Sequence, residues 1–174
     1  VGIVAASWFV VARETITTAR AGESLLYLLR VRSYAHLQRL GLDYYERVLG
    51  FRVVRRDASR AALGTVGDDS PIIELRERPG SRQHPRRGQL GLFHFAILLP
   101  DRASLGRFVR HLSDIGAYAG MSDHLVSEAL YLTDPDGLGI EVYADRPRAD
   151  WRYAGRELQM ATNPLNVQDL VTAG

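Results

Sequence analysis

The run from Ser122 to Pro147, SDHLVSEALYLTDPDGLGIEVYADRP, decides how this chain is read. Two short stretches of strand-forming residues flank the tight turn Asp134-Pro135-Asp136-Gly137, the pattern of two paired strands. Glu141 stands in the second stretch between Ile140 and Val142. A strand of this kind turns at least one face to a core, and an ionised carboxylate that loses its water there costs several kcal/mol unless something compensates it. The position therefore asks for a metal, an arginine or water.

Upstream of this run, LFHFAILLP reads as a strand and Ala103 to Ile115 as an amphipathic helix with Leu105, Phe108, Val109 and Leu112 on one side, ended by Gly116 and Gly120. Strand candidates follow at Ala117 to Met121, Glu128 to Thr133 and Gly139 to Tyr143, so residues 91–145 form a βαβββ unit. The same order precedes it. LLYLLRVRS reads as a strand, and Tyr34 to Leu49 as a helix with Leu37, Leu40, Tyr44 and Val48 on one face, stopped by Gly50. FRVVRRD, RAALGTV and PIIELRE then read as strands, with Gly67 to Pro71 the clearest break. Residues 24–78 are thus a first βαβββ unit, and the Pro/Gly/Arg-rich residues 79–90 a linker.

The repeat extends to the polar residues. Glu74 in IIEL and Glu141 in GIEV hold the same place in the last strand of each unit, and Leu26 matches His94 in the first strand. The spacing is 48 residues from Leu26 to Glu74 and 47 from His94 to Glu141. The expected fold is α+β: two βαβββ modules forming a curled mixed β-sheet around a shared cavity, with equivalent strand positions facing one another. Residues 1–23 receive no role beyond an N-terminal extension. Residues 146–174 read as a C-terminal arm or an interdomain linker.

Composition narrows the classes of function. At 174 residues, 46% hydrophobic and 24% charged, the chain is of ordinary globular character. The net charge of +2 is spread along the chain, which speaks against nucleic-acid binding, and the basic residues are all arginine. The longest apolar run, Val1 to Ala12, is too short to span a bilayer, so no membrane is expected and the cytoplasm is the default location. With no cysteine, only His, Asp and Glu remain as metal donors. Walker-type loops, dinucleotide glycine fingerprints and G-x-S-x-G elbows are absent from the sequence.

Each candidate residue has a second reading. His94 is either a metal ligand or a strand histidine satisfied by backbone. Glu141 is a ligand or half of an arginine salt bridge, and Glu74 has Arg76 and Arg78 close enough to hold it as an ion pair. Imidazole with carboxylate suits Fe(II), Mn(II), Zn(II) or Ni(II). His124 is a candidate proton donor or a surface histidine near a turn. Tyr131 and Tyr143 suit cavity walls with hydroxyl tips, or simple packing. The cluster Arg82, Arg86 and Arg87 reads as a solvated loop, and Asp134 and Asp136 as turn formers.

The paired modules, LDYYERVLGF closing the first helix, FHFAILLP opening the second unit and DPDGLGIEVYADRP closing it resemble the vicinal oxygen chelate superfamily, the group of glyoxalases, bleomycin resistance proteins and extradiol dioxygenases. More narrowly, GLFHFAILLPDR, SDHLVSEALYLTDPDG and DRPRADW resemble the front half of bacterial catechol 2,3-dioxygenase-like proteins, in which the tail ATNPLNVQDL leads into a second domain. The resemblance implies an extradiol ring-cleaving enzyme, or the N-terminal domain of one, with a glyoxalase-type lyase or isomerase and a metal-free binding or structural module as alternatives. It implies a divalent metal, Fe(II) first, held by His94, Glu141 and Glu74. Leu26 stands at the fourth ligand position and cannot coordinate. It further implies His124 and Tyr131 as catalytic groups, a small catechol-like aromatic substrate, and assembly as a homodimer or with a second domain of the same family.

Overall fold

The computed structural model describes residues 41–80 and 92–174. These lie within one compact unit, Gly41–Gly174. The expected N-terminal extension, the first strand with Leu26, the start of the first helix and most of the linker with its arginines lie outside the described residues.

Residues 41–47 are helical (α1), and the turn after them ends at Gly50, whose φ of 77° is open to glycine at little cost. Strands β1 (Arg52–Arg56), β2 (Arg60–Gly64) and β3 (Ile73–Arg76) then form an antiparallel sheet in that order. Cross-strand partners share a face, so the register separates two sets of residues. Val53, Leu63, Ile73, Ala61 and Leu75 pack into the core, whereas Arg55, Ala62 and Glu74 form a row on the opposite face.

The second module is complete. Strand β4 (His94–Leu98) leads into α2 (Arg102–Asp114), followed by β5 (Gly120–Asp123), β6 (Ser127–Thr133) and β7 (Gly139–Asp145), in the spatial order β4-β7-β6-β5. β4 and β7 run parallel, and the intervening helix and hairpin supply the crossover that parallel neighbours need. Asp101 caps α2, its carboxylate accepting from the Ser104 amide at 2.7 Å. β5 begins three residues later than the periodicity suggests. Residues 115–117 are used to leave the helix: the amides of Ile115, Gly116 and Ala117 donate to the carbonyls of His111, Ser113 and Leu112.

Both sheets turn their apolar faces to one core. Leu42, Tyr45, Phe51 and Leu63 join Leu105, Val109, Leu112, Leu130, Ile140 and Val142 in a single cluster. Two polar contacts fasten the modules at its rim. The Tyr45 hydroxyl donates to Asp134 Oδ2 at 3.1 Å, and His111 Nε2 lies 2.9 Å from the Arg47 carbonyl oxygen. Asp134 also forms its turn, its Oδ1 accepting from the amides of Asp136 and Leu138. The α+β class and the βαβββ order of the second module agree with the sequence reading.

The tail is a packed arm. A 3-10 turn at Arg148–Asp150 and the small hairpin β8 (Tyr153–Ala154) and β9 (Glu157–Leu158) precede α3 (Val167–Ala173), which lies on α2 with Leu170 fully buried. The approach is close enough that a Cβ on Gly106 would stand 2.3 Å from the Leu170 carbonyl oxygen. Charge adds to this docking. Glu128, only 3% exposed, is bound by Arg102 and Arg146, which bind Asp169 and Asp123 in turn, so five alternating charges join α3, α2 and the sheet. No helix among the described residues is long and apolar enough to cross a membrane.

Candidate functional site

The site lies on the face of the four-stranded sheet opposite the core. Ala96, Glu141, Tyr131 and Gly120 are successive cross-strand partners and form one row. His94 stands one step along, across from Gly139. The small residues keep this face open. A Cβ at Gly139 would come within 2.8 Å of the Phe93 carbonyl oxygen and 2.9 Å of His94 Cβ, so a side chain there would displace the histidine.

His94 Nε2 lies 3.1 Å from Glu141 Oε2, and both side chains are partly shielded, at 35% and 16% exposure. The other ring nitrogen of His94, Nδ1, is buried with no hydrogen-bond partner among the described residues. Glu141 Oε1 accepts from the Tyr131 hydroxyl at 3.0 Å. The same hydroxyl is 2.7 Å from His124 Nε2, and His124 Nδ1 is 2.7 Å from the Ala161 carbonyl oxygen. The carboxylate that the sequence left in need of a partner thus faces an imidazole on one side and a phenol backed by a second imidazole on the other.

Proton counting defines what this row can do. Each of the three hydrogen bonds from Ala161 to Glu141 needs its own proton, because a carbonyl and a carboxylate can only accept. A neutral His124 and a neutral Tyr131 carry one too few. The row has room for one further proton, on His124.

Burial, the hydrogen bond to Glu141 and that carboxylate's charge push Tyr131 up to about 12. Burial and the nearby Asp134 push Tyr44 up to about 12 and raise Tyr45 as well. For a phenol, a folded-state pKa above its ordinary 10 means that the folded chain holds the proton longer than the unfolded chain. Stability is therefore expected to be intact below pH 10 and to fall as pH rises towards 12. A near-ultraviolet phenolate titration of the native protein should lag behind the same titration in urea; coincident curves would refute the assignment.

Glu74 lies apart from this site. It sits in the β1–β2–β3 sheet, bound by Arg76, and borders a pocket of about 260 Å³ with Arg55, Asp57, Arg60 and Ala62. The ion pair weighed from sequence is the contact observed. Among the described residues, no group of three His, Asp or Glu side chains is placed to hold a metal ion. His94 and Glu141 fit two positions of such a site. Imidazole with carboxylate is the donor chemistry of Fe(II), Mn(II), Zn(II) and Ni(II), so the two would supply part of such a site.

Two features escaped sequence reasoning, one in the site and one on the opposite face of β6. The Ala161 carbonyl is a backbone group, and composition carries no signal for it. Glu128 does carry one: strict alternation puts it on the same side of β6 as Leu130 and Leu132, which marks it as a buried carboxylate.

Residues 37–142 match the family model described as the Glyoxalase/Bleomycin resistance protein/Dioxygenase superfamily, and the chain belongs to that superfamily. It is 44% identical over 131 residues to the catechol-2,3-dioxygenase of Bacillus subtilis (strain 168), a match that covers 75% of this chain and 46% of the relative. The chain therefore spans about half the length of that protein. Among solved structures, it is similar to a glyoxalase/bleomycin resistance protein/dioxygenase from Alicyclobacillus acidocaldarius, at 20% identity and a TM-score of 0.49 over 64% of this chain and 86% of that one. It is also similar to a lactoylglutathione lyase from Agrobacterium tumefaciens, at 18% identity and a TM-score of 0.46 over 61% and 84% of the two chains.

Proposed function

We propose that this chain belongs to an extradiol ring-cleaving dioxygenase acting on a small catechol-like substrate, with a divalent metal, Fe(II) first, held in part by His94 and Glu141. The observation that carries the reading is the 3.1 Å approach of His94 Nε2 to Glu141 Oε2 on an open, polar sheet face. Identity of 44% to a catechol-2,3-dioxygenase supports the choice of chemistry. A bound Fe(II) would supply Lewis acidity toward vicinal hydroxyls and a site for dioxygen.

The protein's own groups supply proton handling. Tyr131 holds Glu141 Oε1, which leaves Oε2 towards His94. Substrate hydroxyls must lose protons, and the row of His124 and Tyr131 is one proton short, so His124 is the candidate acid/base and Tyr131 the group that connects it to the carboxylate. Any remaining donors would come from groups beyond the described residues. Glu74, on the β1–β2–β3 sheet and bound by Arg76, is not among these donors.

The second reading is a metal-free binding or structural module, favoured by the lack of a third donor beside the pair among the described residues. Metal analysis after Fe(II) reconstitution separates the two. Stoichiometric iron with a yellow product from catechol under air is the expected result; no retained metal and no product would reject the enzyme reading for this chain.

A further inference from the structure

The residues just before α3 are laid along the edge of β5. Asp123 and Asn163 exchange both backbone hydrogen bonds at 2.9 Å, the Ser122 hydroxyl donates to the Asn163 carbonyl at 3.4 Å, and the Ala161 amide donates to the His124 carbonyl at 3.4 Å. This short strap covers a sheet edge that would otherwise offer unpaired backbone groups, and it brings the Ala161 carbonyl to His124 Nδ1. The strap is held downstream by α3, through the buried Leu170, the Asp169–Arg102 ion pair and the hydrogen bond from Arg110 to the Val171 carbonyl at 2.9 Å.

The other side of His124 is held as well. Leu125 has a φ of 70°, a left-handed conformation that a branched side chain rarely adopts. Its amide donates to Asp123 Oδ1 at 2.8 Å, and the His124 amide donates to the Ser127 carbonyl at 2.9 Å. A strained hairpin and a docked strap thus meet at one imidazole.

We infer that the backbone carbonyl of Ala161, presented by the strap, is a positioning group that keeps a proton on His124 Nδ1 and so makes Nε2, which faces Tyr131, the ring nitrogen at which a further proton enters the row. A carbonyl only accepts, so the contact at 2.7 Å selects the Nδ1–H form. With the proton on Nε2 instead, His124 would donate to the Tyr131 oxygen, and the row could no longer take a proton at that end. The strap therefore decides which ring nitrogen of His124 is left to gain and lose a proton. The catalytic consequence rests on the function proposed above; the tautomer itself does not.

The test uses the intact protein labelled with ¹⁵N in its histidine rings. His124 is expected to show a slowly exchanging proton on Nδ1. Asn163→Pro removes the Asn163 amide donor of the strap while leaving every side chain of the site in place, and should abolish that signal. If ring cleavage is observed, kcat should fall about 10-fold with little change in KM, the size of loss typical of groups that orient a site from behind. A proton on Nε2 alone in the unaltered protein, or an Nδ1 proton that persists in Asn163→Pro, overturns the inference. Absence of ring cleavage in the unaltered protein would reject the proposed function and leave the tautomer result standing.

Discussion

Replacing Glu141 by alanine is expected to abolish both metal retention and catechol cleavage while leaving the fold intact. The carboxylate lies on the sheet face away from the core, so its loss opens no void among Leu130, Ile140 and Val142, which are the residues that hold β6 and β7 in place. Its removal takes away one of the two donors and the acceptor for Tyr131 at once. The loss in activity should exceed the roughly 10- to 100-fold cost typical of disturbing a residue behind the ligands. Glu141→Gln separates the two roles: the amide oxygen still accepts from Tyr131, but the negative charge is gone. If the proposal holds, the glutamine variant also fails to retain metal. Normal metal content and normal turnover in Glu141→Ala would reject the site outright. Urea unfolding with an unchanged midpoint serves as the folding control.

The second large effect falls on stability. Arg102→Met keeps the length of the side chain but removes its bonds to Glu128 and to Asp169. Glu128 is then left almost fully buried with Arg146 alone, at 3.3 Å. Removing one partner of a buried charge is the costly way to break an ion pair, and a loss of about 3 kcal/mol is expected. The urea midpoint should drop with the slope unchanged. Adding Glu128→Gln to the same chain should recover part of the loss, because the buried charge, by then served by Arg146 alone, is removed. Equal, additive losses in the two single variants and the double variant would show that the five charges act independently. The side of α3 that faces α2 loses an ionic anchor in Arg102→Met, so the strap should also become more accessible to proteolysis.

Much of the second module was legible because its signals are local. The run IEVY and the turn DPDG define β7 and its entry, while alternation places Ile140 and Val142 on one face and Glu141 on the other. The internal repeat linked Glu141 to His94, and the two are neighbours across the β4–β7 pair. His124 and Tyr131 were each weighed singly; that they form one hydrogen-bonded row with Glu141 depends on the β5–β6 and β6–β7 registers, which a slip of one residue would undo. Glu74 shows the limit of the repeat argument. Its place in the order matches that of Glu141, but Arg76 lies two residues on, on the same strand face, and pairs with it.

The tail was the least legible part. Its composition is that of an arm, and Leu170 belongs to only a short apolar pattern, yet it is fully buried against α2. That burial requires Gly106, 64 positions away in the numbering, to lack a side chain, a requirement no local pattern expresses. By itself the sequence determined the order of elements, the face on which each strand residue lies, and which carboxylate would need a partner, because these follow from periodicities of two and 3.6 residues and from turn chemistry. Only the tertiary structure decided which groups answer that need. The partners of Glu141 come from β4, β6 and, through His124, the strap at Ala161, and contacts between segments distant in the chain are set by sheet register and by packing against a shared core.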